Sequence, residues 1–284
     1  MSVAGDTALD RDQLIGMADR YVEALVARDP ASLPVASSVR FTENGQRLAL
    51  GKGLWRTATR REAGGQYFVD EVAGQIEHWG LVEEVGNPAI LSLRLKVEPG
   101  REPLISEVET FVVRQTSPVF SPATVIAPRP AYLEALDRAE RHSREELVRI
   151  ADLYFEGIEQ DNGDLIPVAD DVGRIENGIQ TTRNPESERE VGRMGVREQI
   201  NEGFTKHIEA ARDRRWLVVD AERGLALCHF FFDHPGGIET VGGRIPFGYP
   251  NSMMATEVFK VRAGQIRNIE ALIDVFPYGM PSGW

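Results

Sequence analysis

The pattern of apolar and polar positions along the chain occurs twice. Residues 14–45 and 147–178 align without a gap at an offset of 133, and 12 of the 32 aligned pairs are identical. Each copy begins with apolar residues spaced three or four apart, as on one face of an α-helix. Each then carries a Pro-Val-Ala segment and an Asn-Gly pair between two extended runs, which is typical of a β-hairpin. We interpret the chain as a tandem duplication in which each half begins with a helix followed by a hairpin.

Capping signals predict where the two helices begin. Asp10 or Asp12 precedes the apolar face of the first helix, and either side chain could accept hydrogen bonds from the first backbone N–H groups. Before the second helix, Ser143 and Glu146 have the Ser-x-x-Glu spacing of a capping box. The two predicted helices therefore start near residues 11 and 144.

Alternation of apolar and polar residues predicts strands after each hairpin. The run 89–97 alternates so regularly that one of its faces is expected to contact water. The Glu-x-Phe-x-Val motif at 109–113 recurs at 257–261, so Glu109 and Glu257 are interpreted as counterparts. The remaining predicted elements are strands at 67–85, with a turn near Gly74, and at 104–114, 216–220, 224–233, 253–262 and 265–275, together with helices at 131–141 and 196–212.

Proline distribution predicts the domain organisation. Four prolines between residues 115 and 130 (118, 122, 128 and 130) exclude a regular helix there and indicate a linker. The predicted organisation is a first domain at 1–115, a linker with a bridging helix at 116–141, and a second domain at 142–284. The second domain has the longer loops, including a Gly- and Pro-rich segment at 234–251, and extra loops on a rigid sheet commonly carry function.

Composition and charge restrict the partners. The net charge of −12 argues against a nucleic-acid partner, because phosphate binding depends on clustered Lys and Arg. The first residues are acidic and polar, and no apolar run approaches the roughly 20 residues of a membrane span. We therefore expect neither a signal peptide nor a membrane partner, and a cytoplasmic location. The single cysteine, Cys228, cannot form an internal disulfide and fits that location.

The order helix, connector, hairpin, helix and antiparallel sheet resembles the nuclear-transport-factor-two-like, or SnoaL-like, family. The resemblance rests on Ala-Asp-x-Tyr and Glu-Asn-Gly in both halves and on Gly-Gln-Ile-x-x-Ile-Glu-Ala at 264–271. It implies an α+β fold class with two tandem cone-shaped domains, each a curved antiparallel sheet wrapped around helices and enclosing a pocket.

A narrower resemblance concerns the end of the chain. Segment 269–284, with His-Pro-Gly at 234–236 and Tyr-Pro-Asn-Ser at 249–252, looks like a branch of duplicated members of that family. Some bacterial enzymes that resemble this branch are cofactor-free lyases that remove formaldehyde from lignin-derived diarylpropanes or phenylcoumarans. The resemblance therefore implies a lyase, although fold alone does not fix chemistry.

Four residues are the candidate catalytic groups. His234 precedes Pro-Gly-Gly at a strand end and would titrate near neutral pH, as a general acid or base does. Glu257 shares a strand face with Phe259, and burial on that face would raise its pKa and suit it to proton transfer. Tyr249 and Asn251 would orient substrate hydroxyls. A turn role for His234 and a structural role for Glu257 are the alternatives.

A second set of residues is expected to bind the substrate. If 229–233 is a strand, then His229, Phe231 and Asp233 share one face, and a face that mixes polar and aromatic groups suits a pocket wall. Alternatively, His229 is a core histidine and Asp233 opens a turn. The other expected contacts come from Arg244, Trp55 and Tyr154, the last of which could equally be a core residue.

The predicted function is cofactor-independent acid–base catalysis. The sequence contains no His-x-x-x-His or Cys-x-x-Cys pair, no phosphate-binding glycine loop and no Gly-x-Ser-x-Gly elbow, so neither a metal nor a cofactor is expected. The expected substrate is a small hydrophobic aromatic molecule, cleaved in the lignin case to a stilbene and formaldehyde. The alternatives are an isomerase, hydratase or cyclase for a polyketide or terpenoid, and a non-enzymatic aromatic-ligand binder or scaffold. The apolar segment 277–284 should cross its own domain or reach a neighbouring subunit, and we expect a homo-oligomer.

Overall fold

The computed structural model describes residues 8–117, 119–127 and 129–284. Contacts among them divide the chain into two units. The first unit consists of residues 8–116, 122–127 and 283–284, and the second of residues 117, 119–121 and 129–282. The segment predicted as a linker thus contributes to both units. The first seven residues and two of the linker prolines, Pro118 and Pro128, lie outside the described residues.

The first unit is a long helix packed against a seven-stranded sheet. Helix α1 (Arg11–Ala27) begins where expected, because the Asp10 carboxylate accepts a hydrogen bond from the Gln13 backbone nitrogen at 2.8 Å. The strands are β1 (Val35–Glu43), β2 (Gln46–Arg47), β3 (Ala58–Arg61), β4 (Gln66–Asp70), β5 (Gln75–Glu84), β6 (Asn87–Glu98) and β7 (Leu104–Val113), and a one-turn helix, α2, spans Pro122–Val125. The sheet order is β2-β1-β7-β6-β5-β3, with β4 paired to β5.

The second unit has the same plan with a six-stranded sheet. Its helices are α3 (Pro130–Leu133), α4 (Arg144–Glu159), α5 (Glu190–Arg193) and α6 (Val196–Asn201). Its strands are β8 (Arg174–Glu176), β9 (Ile179–Gln180), β10 (Ala210–Asp220), β11 (Leu225–His234), β12 (Asn251–Arg262) and β13 (Gln265–Pro277), in the order β10-β11-β12-β13-β8-β9. Ser143 caps α4 as predicted, since its side chain accepts from the Glu146 nitrogen. The predicted fold class, α+β with two sheet-and-helix units, is confirmed. In the described part of the chain, no helix is both long and apolar enough to cross a bilayer.

An asparagine side chain fixes the same strand pair in both units. Asn44 and Asn177 occupy the hairpin turns with φ of 46° and 45°. Asn44 accepts from the Val112 nitrogen at 2.7 Å and donates to the Val112 carbonyl at 3.2 Å. Asn177 makes the equivalent bonds to Ile273 at 2.9 and 2.8 Å. The Asn-Gly motif therefore joins β1 to β7 and β8 to β13, in addition to forming the predicted turns.

Replacing either asparagine by alanine is expected to lower the free energy of unfolding by about 2 to 3 kcal/mol. The change leaves the neighbouring N–H and C=O groups without their side-chain partner, and alanine disfavours a positive φ. Urea unfolding of Asn44→Ala and Asn177→Ala measures this. Asn87→Ala, at the exposed start of β6, is the control and should change stability by less than about 0.5 kcal/mol. Equal effects in all three variants would show that the side-chain hydrogen bonds of Asn44 and Asn177 do not stabilise the strand pairs.

Two predicted helices are wrong over much of their length. Of the helix predicted over 131–141, only α3 and a 3₁₀ turn at Arg138–Glu140 form. The chain between them is not helical, because Leu136 is buried and its amide donates to the Glu222 carbonyl at 2.9 Å. The helix predicted over 196–212 stops at Asn201. Gly203 follows with φ of +79°, and a 3₁₀ turn at Phe204–His207 then precedes β10.

Both faces of strand β6 are buried from Ala89 to Leu95, whereas its alternating pattern predicted one face in contact with water. Arg94 is 1% exposed and forms an ion pair with Glu109 at 3.1 Å. Its guanidinium also lies 4.6 Å from the ring centroid of Trp284, whose indole nitrogen donates to the Thr42 hydroxyl at 2.9 Å. The last two residues thus belong to the first unit, whereas residues 278–280 form hydrogen bonds with Glu209, Ser252 and Arg212 of the second unit. The expectation that segment 277–284 crosses its own domain therefore holds for all but its last two residues.

Candidate active site

The second unit encloses a cavity of about 740 Å³, which is within the range of small-molecule sites. Helix α4, the β8–β9 hairpin and strands β11, β12 and β13 supply its walls. The exposed residues Arg244 and Ile245 of the long loop after β11 form part of its rim. Apolar side chains provide much of the lining, including Ile158, Phe230, Phe232, Met253 and Ile273.

Arg174 is the buried cation of this cavity and is 5% exposed. Its guanidinium donates to the Tyr154 hydroxyl and to Gln199 Oε1, both at 3.0 Å, and its Nε lies 3.1 Å from a carboxylate oxygen of Glu176. A buried charge requires such partners, because an unpaired one is costly in an apolar interior. Sequence reasoning missed Arg174. Tyr154, a predicted binding residue, does line the cavity.

Glu257 is buried in the same cavity at 2% exposure. Among the described residues, no group makes a hydrogen bond to its carboxyl group. Burial raises the pKa of Glu257 to about 8; Arg174 opposes this rise and Glu176 adds to it. At pH 7 Glu257 is therefore mostly a neutral acid, and above about pH 8 it is mostly a carboxylate that can act as a base.

Strand pairing places Glu257 and Glu176 in one row. Glu257 on β12 lies opposite Ala271 on β13, and Ala271 lies opposite Glu176 on β8. Neighbouring strands are about 4.8 Å apart, so the two glutamate Cα atoms are about 10 Å apart with only a methyl group between them. Arg174 precedes Glu176 by two residues and shares its face. The carboxyl groups of Glu257 and Glu176 and the guanidinium of Arg174 therefore lie on the same face of the sheet and line the same cavity.

Backbone bonds also show which positions of the two units correspond. The Asn44 nitrogen donates to the Thr110 carbonyl on β7, and the Asn177 nitrogen donates to the Ala271 carbonyl on β13. Both strands run parallel to the strand that precedes the hairpin turn. Strand β7 therefore takes the place of β13, and β6 takes the place of β12.

This correspondence corrects the interpretation of Glu257 as the counterpart of Glu109. Glu109 precedes Thr110 as Glu270 precedes Ala271, so those two glutamates occupy equivalent positions. The residue opposite Thr110 is Leu93, which is therefore the counterpart of Glu257. Glu257 is not a carboxylate that both units need for their structure.

The interiors of the two units differ at the positions of Arg174 and Glu257. Phe41 and Leu93 fill the core of the first unit at the positions of Arg174 and Glu257. Trp55, predicted to contact the substrate, is 2% exposed in that same core and donates its N–H to the Tyr21 hydroxyl at 2.9 Å. Trp55 therefore does not line the cavity of the second unit.

Two stacked histidines line another part of the cavity. The rings of His207 and His234 have centroids 5.1 Å apart and planes 12° apart. His234 Nδ1 lies 3.1 Å from Asn251 Oδ1, so two of the predicted catalytic residues do contact each other. Burial lowers the pKa of each imidazole to about 4. Sequence reasoning missed His207 because it lay in a predicted helix.

His234 and Glu257 lie too far apart to act on one bond. His234 pairs with Asn251 on β12, and Asn251 precedes Glu257 by six residues. At about 3.3 Å per residue, their Cα atoms are about 20 Å apart along the strands. The expectation that these two residues act together as acid and base is therefore corrected.

Several predicted residues lie outside the cavity. Tyr249 is 68% exposed, and it contributes only its backbone carbonyl, to Asn251. Phe230, Phe232 and His234 line the cavity, so the alternation of β11 turns His229, Phe231 and Asp233 to the opposite face. There Asp233 forms an ion pair with Arg212 at 2.6 Å, and that guanidinium lies 4.5 Å from the Phe231 ring centroid. Arg244 is at the rim, as described above. Among residues 8–117, 119–127 and 129–284, no group of three or more His, Cys, Asp or Glu side chains is arranged to hold a metal ion.

Sequence comparison finds one family match. Residues 140–273 match the family described as Domain of unknown function (DUF8021). Comparison with curated protein sequences found no match. The matched segment contains Arg174, Glu176, His207, His234 and Glu257, and it ends shortly before the C-terminal tail.

Solved structures resemble about half of the chain. The epoxide hydrolase/cyclase-like enzyme SalBIII, from a study of pyran ring formation in salinomycin, is 12% identical, with 47% of this chain and 97% of that chain covered at a TM-score of 0.34. A protein from Xanthomonas campestris pv. campestris, provisionally named a polyketide cyclase, is 17% identical. The match covers 46% of this chain and 92% of that chain, with a TM-score of 0.31. PrhC from Penicillium brasilianum is 15% identical. The match covers 46% of this chain and 82% of that chain, with a TM-score of 0.29. Similarity at this level identifies neither a substrate nor a reaction.

Proposed function

We propose that the second unit is an enzyme that uses its own side chains to transfer a proton to or from a small, largely apolar molecule, with Glu257 carrying the proton. The observation that carries the proposal is a buried carboxyl group that lines the cavity, has no hydrogen-bond partner among the described residues and has a pKa of about 8. Catalysis by proton transfer is most efficient when the pKa lies near the working pH. Groups with strongly perturbed pKa values are concentrated in active sites.

Arg174 and Tyr154 suit the stabilisation of negative charge on the substrate. The guanidinium is buried and held in place by three partners, so it needs little reorganisation when an oxygen beside it gains charge. Oriented donors of this kind favour a transition state with a developing oxyanion. We assign Arg174 and Tyr154 to binding the substrate oxygen whose charge changes during the reaction.

The more specific proposal is a lyase acting on a diaryl-1,3-diol. Glu257 donates a proton to the benzylic hydroxyl, which leaves as water, and the Glu176 carboxylate takes the proton of the primary alcohol. The bond between the CH₂OH carbon and the central carbon of the propane unit breaks. Its electron pair forms the double bond of a stilbene between the central and the benzylic carbons, and the CH₂OH carbon leaves as formaldehyde. The step is balanced without an oxidant or reductant. Phe230 and Phe232 in the cavity wall supply the aromatic contacts.

The position of Arg174 beside Glu257 favours a second candidate, an isomerase or cyclase. Here the Glu257 carboxylate removes a proton from the carbon next to a ketone, and Arg174 and Tyr154 bind the resulting enolate oxygen. The apolar walls suit a polyketide or terpenoid as well as a lignin dimer.

Two assays on the purified full chain test the proposal. For the lyase, 1,2-bis(4-hydroxyphenyl)propane-1,3-diol is incubated with the protein, and formaldehyde and the stilbene absorbance are measured. For the isomerase or cyclase, exchange of deuterium into an aromatic 1,3-diketone is followed by mass spectrometry. Stoichiometric formaldehyde and stilbene support the lyase, and exchange alone supports the second candidate. Tight binding with neither reaction would contradict both and favour a ligand-binding protein.

Replacing Arg174 by methionine is expected to move the pH profile of the reaction to higher pH. Arg174 holds the pKa of Glu257 down, so its removal lets that pKa rise further. The measurement is kcat/KM between pH 6 and 10. Arg212→Met is the matched control, since Arg212 also forms a part-buried ion pair but lies on the other face of the sheet. A loss of stability with an unshifted profile in Arg174→Met would contradict the assigned role.

A further inference from the structure

The stacked histidines contain a polar atom that the proposed chemistry does not use. His234 is 1% exposed, and its Nε2 is buried with no hydrogen-bond partner among the described residues. Buried polar atoms are nearly always paired, and each exception needs an explanation. Because His234 lines the cavity, a ligand can supply the missing partner.

Neighbouring groups determine which nitrogen of each ring carries the proton. Asn251 donates through Nδ2 to the Tyr249 carbonyl at 3.0 Å, so its Oδ1 is the atom that faces His234 Nδ1. An amide oxygen only accepts, and His234 Nδ1 therefore carries the hydrogen. His207 Nδ1 likewise donates to the Phe204 carbonyl at 2.8 Å. Both rings are left with a lone pair on Nε2.

The two rings are neutral near pH 7, because burial lowers the pKa of each to about 4. His207 lowers the pKa of His234 further, and Arg174 lowers that of His207. A neutral imidazole with its Nδ1 hydrogen already used can only accept at Nε2. The ligand group that fits is a hydrogen-bond donor, and an anion does not fit. Phe247, whose ring centroid is 4.4 Å from that of His234, supplies an aromatic surface at the same place.

We propose that this part of the cavity binds a neutral hydroxyl group on an aromatic ring, with the hydroxyl donating to His234 Nε2 and the ring packed against Phe247. Asn251 is the positioning residue that holds His234 in its accepting form. The inference rests on the proposed function for the location of the reacting atoms near Glu257. It adds a substrate class: an elongated molecule whose phenolic ring is bound by the histidines while its other end reaches Arg174 and Glu257.

Binding of matched probes tests this subsite. trans-4-Hydroxystilbene and trans-4-fluorostilbene have nearly the same shape, but only the first carries a donor. The full chain is expected to bind the hydroxyl probe about 10- to 100-fold more tightly, because the fluoro probe leaves Nε2 unpaired. His234→Phe should remove this preference. His229→Phe is the matched control, a buried histidine of the same strand on the opposite face, and should keep it.

A measurement on the unmodified protein covers the case in which His234→Phe does not fold. In ¹⁵N-histidine-labelled protein, His207 and His234 should both show the Nδ1–H form, and trans-4-hydroxystilbene should shift one Nε2 resonance. Equal affinities for the two probes, tighter binding of trans-stilbene-4-carboxylate, or binding of none of them would overturn the inference. A hydroxyl preference without any turnover would leave the subsite in place and reject the proposed function.

Discussion

Glu257→Gln is expected to lower kcat/KM for the reaction of the second unit by about 10²- to 10⁴-fold, the usual contribution of a positioned proton-transfer group. Glutamine has nearly the same shape as protonated glutamate, so the cavity and the Arg174 contacts persist. It can neither release nor take up a proton at neutral pH. The rate is measured with whichever of the two proposed substrates is turned over by the unmodified protein.

The matched control for this loss is Glu109→Gln in the first unit. Glu109 is also fully buried, and it is ion-paired to Arg94. Its replacement should reduce stability but leave the activity of the folded protein unchanged. Retention of more than about a third of the activity by Glu257→Gln, or an equal loss in both variants, would show that Glu257 is not the proton carrier.

The same substitution is expected to make the protein more stable than the unmodified chain at high pH. The pKa of Glu257 is about 8 in the folded protein, against an ordinary 4.5. A group whose pKa is higher in the folded state contributes stability that is complete below pH 4.5 and is lost as the pH rises through 8. A difference of about 3.5 pKa units corresponds to about 5 kcal/mol. Glutamine does not titrate and avoids this loss.

Urea unfolding at pH 5, 7 and 9 measures this effect as a difference between the two proteins. Relative to the unmodified chain, the free energy of unfolding of Glu257→Gln should rise by about 4 kcal/mol between pH 5 and 9, the part of the full difference that falls within this range. The two buried histidines titrate in the opposite sense: their pKa values are lowered to about 4, so they destabilise the fold as the pH falls below 6.5. They are present in both proteins and cancel. Parallel stability curves would contradict a buried, protonated Glu257.

The starts of the long helices and the positions of the hairpins could be predicted from sequence motifs only a few residues long. Asp10 and Ser143 mark helix starts because their side chains bond to amides three residues later. The Asn-Gly pairs give positive φ at both turn positions and hence the hairpins. The prediction fails where a single residue interrupts a pattern. Helical spacing of apolar residues continues to Ala211, but α6 ends at Asn201, just before Gly203 with its positive φ.

The candidate site was only partly predictable, because strand pairing brings its residues together. Alternation showed that β11 has two faces, but it could not show that Phe230 and His234 rather than Phe231 and Asp233 line the cavity. Arg174 carries no motif; its only signal is a charged residue where the other copy has Phe41. The repeated Glu-x-Phe-x-Val motif pointed to the wrong counterpart, because the strands that contain it occupy different places in their sheets.

The two units show how one framework can hold different interiors. The first unit fills its core with Phe41 and Leu93, and the second places Arg174 and Glu257 there beside a cavity. Phe41 and Leu93 are uncharged and need no compensating partners, whereas Arg174 requires Tyr154, Gln199 and Glu176. We propose that catalysis belongs to the second unit and that the first is structural. That the two halves arose by duplication stays a prediction from the sequence.

The titration of Glu257 itself tests the central claim most directly. In protein labelled with ¹³C at the glutamate side-chain carboxyl carbon, the resonance that disappears in Glu257→Gln is followed between pH 3 and 10. A midpoint near pH 8 is the predicted result, and it would show that this carboxyl group is protonated at neutral pH. A midpoint at or below the ordinary value of 4.5 would mean that Glu257 is a carboxylate throughout, and the proposed acid–base site would be excluded.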